Sequence, residues 1–156
     1  MVIENKVPGK DVLSSDLTDK FPLVAKKSHD HFSKFEISGV EFGGSLIPVF
    51  AGPNMIESEN LIFEIAHSVK NSGAHFLRGG AFKPLSFPYR SEKYNETRHD
   101  GLNWMYQAGQ DANIPIITEV MDQRLVQDIA AVTDIIQIGS RNMQNYPLLT
   151  ECAKTQ

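Results

Sequence analysis

Residues 46–59 read LIPVFAGPNMIESE, and this stretch decides the fold. The apolar run at 46–50 is typical of a buried strand, and Gly52-Pro53 ends it before a helix predicted over about 57–71. A nucleotide-binding open sheet carries a GxGxxG loop at this point. The sequence offers Asn54 instead, at the position where β/α proteins place functional side chains.

The same strand-then-helix pattern repeats along the rest of the chain. Strands are predicted at 75–82, 114–120 and 134–138, and helices at 96–112 and 123–132, with a last helix from Tyr146 or Pro147. We expect the strands to be buried on both faces of a parallel sheet with right-handed crossovers. An open doubly wound sheet and a (β/α) barrel both fit this alternation, although a complete barrel needs about 250 residues and eight units.

Two segments precede these units. Residues 1–33 are mixed and polar and are predicted to form a partly irregular arm. Residues 35–42 alternate apolar and polar around Ser38-Gly39, which predicts a β-hairpin. The predicted organisation is therefore an arm at 1–33 followed by one domain at 34–156.

Composition narrows the class of protein. The 156 residues carry a net charge of −4, so no nucleic-acid footprint is present. No stretch approaches the roughly 20 apolar residues of a membrane helix, and the N-terminus has no signal-peptide pattern. The lone cysteine, Cys152, fits a reducing compartment, so we expect a cytoplasmic protein with neither nucleic-acid nor membrane partners.

Functional side chains of parallel β/α proteins lie at the carboxyl ends of the strands. Arg78, Lys83 and Arg141 follow such ends, and three cations suit a ligand with both a carboxylate and a phosphate. A structural alternative is that these cations form ion pairs with Glu119 and Asp122. The spacing alone leaves both interpretations open.

Four stretches within residues 32–156 carry a resemblance to a known family: AGPNMIESE, GAHFLRGGAFKP, PIITEVMD and DIIQIGSRNMQNYPLL. They are similar to the 3-deoxy-heptulosonate 7-phosphate (DAHP) synthases and their sister 3-deoxy-octulosonate 8-phosphate synthases. The resemblance implies an α/β fold, the N-terminal half of a (β/α)8 barrel, with the hairpin across its bottom. It also implies a transferase that condenses phosphoenolpyruvate with an aldose phosphate, the first step of aromatic amino-acid (shikimate) biosynthesis.

The resemblance also implies roles for individual residues. Phosphoenolpyruvate contacts carry over onto Arg78, Lys83 and Arg141, and Lys83 and Glu119 are assigned to the catalytic centre. Asn54 stands where metal-using relatives have a cysteine ligand, so we expect no metal cofactor. The remaining expected substrate-binding residues are Asn54, Ser86 and Gln137.

A second departure lies in the aldose-phosphate motif, usually Lys-Pro-Arg-Thr-Ser. Its arginine is Leu85 here, which weakens the case for erythrose 4-phosphate, and Arg90 is the nearest substitute. Four units make half a barrel, so we expect the chain to pair with a copy of itself or with a separate second half-barrel, or to be a truncated product. The alternative function is a non-catalytic, degenerate synthase domain that binds a sugar phosphate or serves assembly.

Overall fold

The computed structural model describes residues 15–83 and 96–155. The chain divides into two compact units, Met1–Ile47 and Pro48–Gln156. The first contains α1 (Ser15–Lys20), β1 (Phe35–Ile37) and β2 (Val40–Phe42). The two strands pair antiparallel, and the positive φ angles of Ser38 and Gly39 form the tight turn between them. This confirms the predicted hairpin.

The second unit is a four-stranded parallel sheet with a helix after each strand. Its strands are β3 (Phe50–Ala51), β4 (Phe76–Arg78), β5 (Ile116–Val120) and β6 (Ile135–Ile138), paired in the order β3-β4-β5-β6. A doubly wound sheet reverses its strand order part-way, whereas this order is sequential. The structure therefore favours the barrel wall over the open sheet.

The helices follow the predicted alternation with shorter bounds. They are α2 (Glu59–Asn71), α3 (Arg98–Asp111), α4 (Val126–Ala130) and α5 (Tyr146–Cys152). A 3₁₀ turn at Gln123–Leu125 precedes α4, so the helix predicted at 123–132 is divided. None of the described helices is long and apolar enough to cross a membrane.

The predicted strand at 46–50 is wrong in its extent, because ladder pairing begins only at Phe50. Pro48 has no N–H to donate, and Ile47 is 82% exposed. The expected burial of every strand on both faces is also wrong. Burial is high in β4 and β5, whereas β3 and β6, the outer strands of the described sheet, are only partly covered.

The main core lies between the sheet and the helices α2 and α3. The Ser58 hydroxyl caps α2 by accepting a hydrogen bond from the backbone N–H of Leu61. Gly109 lets α3 approach β5, because a Cβ there would lie 2.5 Å from Cγ2 of Ile116. The fully buried side chains of this core include Ile62, Ala66, Leu77, Met105, Ala108 and Val120.

His75 lies at the amino end of β4, away from the strand ends that carry the candidate site. The ring Nδ1 of His75 accepts a hydrogen bond from the backbone N–H of Val49 at 3.0 Å, and the backbone N–H of His75 donates to the Val49 carbonyl oxygen. His75 therefore has a structural role, since these two hydrogen bonds hold the residue before β3 beside the start of β4.

Candidate functional site

Arg78 is the last residue of β4, and its guanidinium joins the ends of two other strands. Nη1 donates to the Pro53 carbonyl oxygen at 2.9 Å and to Oδ1 of Asn54 at 3.3 Å. Nε donates to Oε1 of Gln137, on β6, at 3.3 Å. All three acceptors are neutral oxygens, so these bonds orient the guanidinium without cancelling its charge.

Lys83 and Glu119 form a partly buried ion pair beside this arginine. Lys83 Nζ lies 2.9 Å from Oε2 of Glu119, and the two side chains are 17% and 9% exposed. Gln137 Nε2 donates to the same carboxylate oxygen at 3.5 Å. The hydrogen bonds therefore run continuously from Asn54 through Arg78, Gln137 and Glu119 to Lys83, which brings together five of the residues singled out in the sequence.

The backbone beneath these side chains is closely packed. Gly52 has a φ of 146°, and a Cβ there would overlap the carbonyl oxygen of Arg78. A Cβ on Gly80 would lie 2.7 Å from the carbonyl oxygen of Asn54. The fully buried Thr118 donates its hydroxyl to the Gly79 carbonyl oxygen at 2.7 Å. These contacts hold the ends of β3, β4 and β5 together.

Arg141 lies on a 3₁₀ turn, Ser140–Asn142, that follows β6 at the same edge of the sheet. Its turn is held by the Asn142 side chain, whose Nδ2 donates to Sδ of Met121 at 3.7 Å and whose Oδ1 accepts from Nδ2 of Asn145 at 3.1 Å. Asn145 also caps α5 by accepting from the Leu148 N–H. The turn is thereby fixed to the end of β5 and to the start of α5.

The ion-pair alternative holds for Lys83. Lys83 does pair with Glu119, while the Asp122 carboxylate accepts hydrogen bonds from Nε of Arg124 at 3.0 and 3.1 Å. Those hydrogen bonds lower the pKa of Asp122 from 3.8 to about 2. An ion pair does not exclude ligand binding, because Lys83 retains two further ammonium protons.

The predicted residue Ser86 lies outside the described residues, as do Leu85 and Arg90. Two features of the site were missed in the sequence: the Pro53 carbonyl as an acceptor, and Gly139, against which the Glu119 carboxylate packs. The glycine directly after strand residues Ile135–Ile138 was the available signal for the second.

The residues around Asn54 do not fit a divalent metal ion. Its amide oxygen accepts a hydrogen bond from the Arg78 guanidinium, which places positive charge where a metal ion would be bound. An amide is also a poor ligand for the metals that cysteine favours. Within residues 15–83 and 96–155, no group of three or more His, Cys, Asp or Glu side chains is arranged to hold a metal ion.

A family model described as the DAHP synthetase I family matches residues 25–156. The chain belongs to the DAHP synthetase I family. A phospho-2-dehydro-3-deoxyheptonate aldolase of Thermotoga maritima is 30% identical to it over 152 residues, which cover 96% of the chain and 44% of the relative. A 2-dehydro-3-deoxyphosphooctonate aldolase of Koribacter versatilis is 29% identical over 134 residues, which cover 78% of the chain and 45% of that protein.

Solved structures support the same DAHP synthetase I assignment. A truncated form of the T. maritima 3-deoxy-D-arabino-heptulosonate 7-phosphate synthase matches with a TM-score of 0.73 and 29% identity over 86% of the chain. A second structure of the T. maritima DAHP synthase matches with a TM-score of 0.71 and 28% identity over 92%. These matches cover 47% and 45% of those chains. The chain thus spans less than half the length of these relatives, and the predicted partial (β/α)8 barrel is confirmed.

Proposed function

We propose that this chain supplies the phosphoenolpyruvate-binding part of an enzyme that condenses phosphoenolpyruvate with an aldose phosphate. The observation that carries the proposal is the hydrogen-bonded network of Arg78, Gln137, Glu119 and Lys83 at the carboxyl ends of the strands. Two cations of different chemistry lie there, one held by neutral acceptors and one by a carboxylate. Phosphoenolpyruvate carries two anionic groups for such cations to bind.

The two cations suit different parts of the reaction. Arg78 is rigidly oriented and keeps its charge, so it is the anchor for a carboxylate or a phosphate. Condensation forms a bond between C3 of the enol and the aldehyde carbon with the electrons of the C2–C3 double bond, and the aldehyde oxygen gains a proton. Water then adds to C2, and the bond from C2 to the phosphate oxygen breaks, so that a ketone forms and phosphate leaves. The ammonium of Lys83 is suited to donate the proton to the aldehyde oxygen, and Glu119, hydrogen-bonded to it, is suited to orient the water and to pass the proton that it releases back to Lys83.

The aldose follows from carbon arithmetic in the names of the relatives. A heptonate product minus the three carbons of pyruvate leaves a four-carbon aldose, and an octonate leaves a five-carbon one. We propose the four-carbon substrate, erythrose 4-phosphate, because the heptonate aldolase of T. maritima matches 96% of the chain. Parallel assays with four-carbon and five-carbon aldose phosphates test this choice.

We also propose that further contacts to the substrates come from sequence beyond these four β/α units. They could belong to the same polypeptide, to a second copy or to a separate chain. We propose that the reaction is independent of a metal ion and that the protein is cytoplasmic, as its composition predicts. Asn54 stands in place of the cysteine ligand of metal-using relatives, and this supports the proposed independence of a metal ion.

Calorimetric titration of the purified chain with phosphoenolpyruvate is the direct test. We expect saturable heat for the wild type and at least tenfold weaker binding for Lys83→Met. Arg124→Lys serves as the matched control, because Arg124 is exposed and pairs with Asp122, away from the bonded network. If the wild type gives neither heat nor a thermal shift, the proposed ligand role is wrong.

A second assay measures phosphate release from phosphoenolpyruvate plus erythrose 4-phosphate, by the chain alone and with the sequence that completes the barrel. Release with the completed barrel supports the condensing enzyme. Binding without release under every pairing would leave the degenerate, sugar-phosphate-binding domain as the better description.

A further inference from the structure

Gly139 directly follows β6 and lies against the carboxylate of Glu119. A Cβ built on Gly139 would overlap Oε1 of Glu119 and lie 2.9 Å from its Cδ and 3.6 Å from Oε2. These three nearest atoms all belong to one carboxylate. The backbone of Gly139, with φ −71° and ψ 156°, is open to any residue. Space at the Glu119 carboxylate, rather than backbone conformation, therefore requires glycine here.

The carboxylate cannot easily move aside. Glu119 is 7% exposed, and its Oε2 is bound to Lys83 Nζ at 2.9 Å and to Gln137 Nε2 at 3.5 Å. Moving Oε1 away from a methyl group at position 139 would rotate or withdraw the whole carboxylate and break its bond to Lys83. A displaced buried carboxylate also loses the partner that offsets its desolvation.

The hairpin unit offers a natural comparison. A Cβ on Gly44 would overlap Oε1 of Glu41 and lie 2.6 Å from its Cδ. Gly44 is not among the glycines with positive φ, so its backbone also accepts alanine. The Glu41 side chain is 53% exposed and its contact with the exposed Lys34 spans 3.9 Å, so it can swing into water at little cost. Each of the two glycines thus lies against the carboxylate of a glutamate, but of these two carboxylates only that of Glu119 is confined.

We propose that Gly139 is a positioning residue, which holds the Glu119 carboxylate beside Lys83 by leaving room where a side chain would be. The position of that carboxylate sets how much of the Lys83 charge remains to attract an anionic ligand. This consequence rests on the proposed function, whereas the positioning itself is a property of the fold. Gly139 acts through Glu119 and needs no contact with substrate.

A double-mutant cycle tests the positioning without any ligand. Melting temperatures are measured for the wild type, Gly139→Ala, Glu119→Ala and the double variant, with Gly44→Ala as the matched control. We expect Gly139→Ala to lower the melting temperature by about 10 °C in the wild-type background and by less than about 2 °C in the Glu119→Ala background. Gly44→Ala should stay within about 2 °C of the wild type.

The same cycle remains decisive if Gly139→Ala does not fold. Recovery of folding in the double variant then supports the proposal, since removal of Glu119 has removed the overlap. Equal losses in both backgrounds, or a double variant that also fails to fold while Glu119→Ala folds, would overturn it.

Titration with phosphoenolpyruvate supplies a readout that mere destabilisation would not produce. Folded Gly139→Ala should bind phosphoenolpyruvate about tenfold more tightly than the wild type, because the competing carboxylate has left Lys83. Unchanged or weaker binding would overturn this link between Gly139 and the Lys83 charge. If the wild type binds no phosphoenolpyruvate, the proposed function fails, and the melting-temperature cycle still decides the positioning.

Discussion

Arg78→Lys separates the geometry of the guanidinium from its charge. Arg78 donates hydrogen bonds from Nη1 to Pro53 and Asn54, which follow β3, and from Nε to the side chain of Gln137 on β6. A lysine keeps the positive charge but offers a single nitrogen, which cannot reach both sides. The substitution therefore removes the link between the two strand ends while leaving the charge at the site.

The expected cost follows from the number of bonds lost. Two of the three hydrogen bonds of Arg78 come from Nη1 on the β3 side and one comes from Nε on the β6 side, and a lysine nitrogen can serve one side only, so one or two bonds are lost. A hydrogen bond to a charged group contributes about 1.5–3 kcal/mol, and partial exposure of the site reduces this to about 1 kcal/mol each. The free energy of unfolding should therefore fall by about 1–2 kcal/mol.

Urea denaturation followed by circular dichroism measures this change. With an m-value of about 2 kcal/mol per molar, the unfolding midpoint should fall by about 0.5–1 M. Arg98→Lys is the control, because Arg98 is 69% exposed and its ion pair with Glu96 spans 3.5 Å, so the midpoint should stay nearly unchanged. Equal midpoints for Arg78→Lys and the wild type would refute the argument that the fork of Arg78 joins the strand ends.

Three further predictions concern the metal, acid stability and a buried hydroxyl. Because the Asn54 oxygen is bonded to a guanidinium, added Mn²⁺ or Zn²⁺ should not raise the melting temperature, and a clear metal-dependent rise would contradict this. The pKa of Asp122 is lowered from 3.8 to about 2 by hydrogen bonds from Arg124, so its stabilising contribution is complete above pH 3.8 and disappears as the pH falls through about 2. Asp122→Asn should accordingly melt below the wild type at pH 5 and converge with it near pH 2, unlike the control Asp128→Asn, and a constant difference would oppose the assignment. Thr118→Val should lower the free energy of unfolding by about 1–2 kcal/mol, since the carbonyl at 2.7 Å loses its buried donor; an unchanged urea midpoint would show that this bond contributes nothing.

The order of strands and helices could be predicted from the sequence because each unit has its own apolar period and its own breaker residues. The periodicity also placed Arg78 and Gln137, 59 residues apart in the chain, at the same edge of the sheet. The strand at 46–50 was placed too early, since an apolar run does not reveal which residues find a pairing partner. Pro48 was the local sign that pairing would start later.

The arrangement within the site depended on distances that a sequence does not contain. Spacing named Lys83 and Glu119 as a possible ligand contact or a possible ion pair, and the structure adds that they lie 2.9 Å apart. The sequence could not show that the Arg78 guanidinium is held by neutral oxygens. Nor could it show why Gly139 is glycine, because its φ of −71° and ψ of 156° do not demand one.

Arg78 and Lys83 are therefore held by opposite means, and this bears on how a ligand would bind. Three neutral oxygens fix Arg78, so an arriving anion meets its charge without displacing an acidic side chain from those bonds. Lys83 is bonded to Glu119, so an anion must share or take over that ammonium. Arg78 then contributes affinity from the first encounter, whereas Lys83 gains strength as negative charge develops beside it. That division suits the proposed condensation, because a group that responds to the changing charge lowers the barrier more than one that binds substrate and transition state equally.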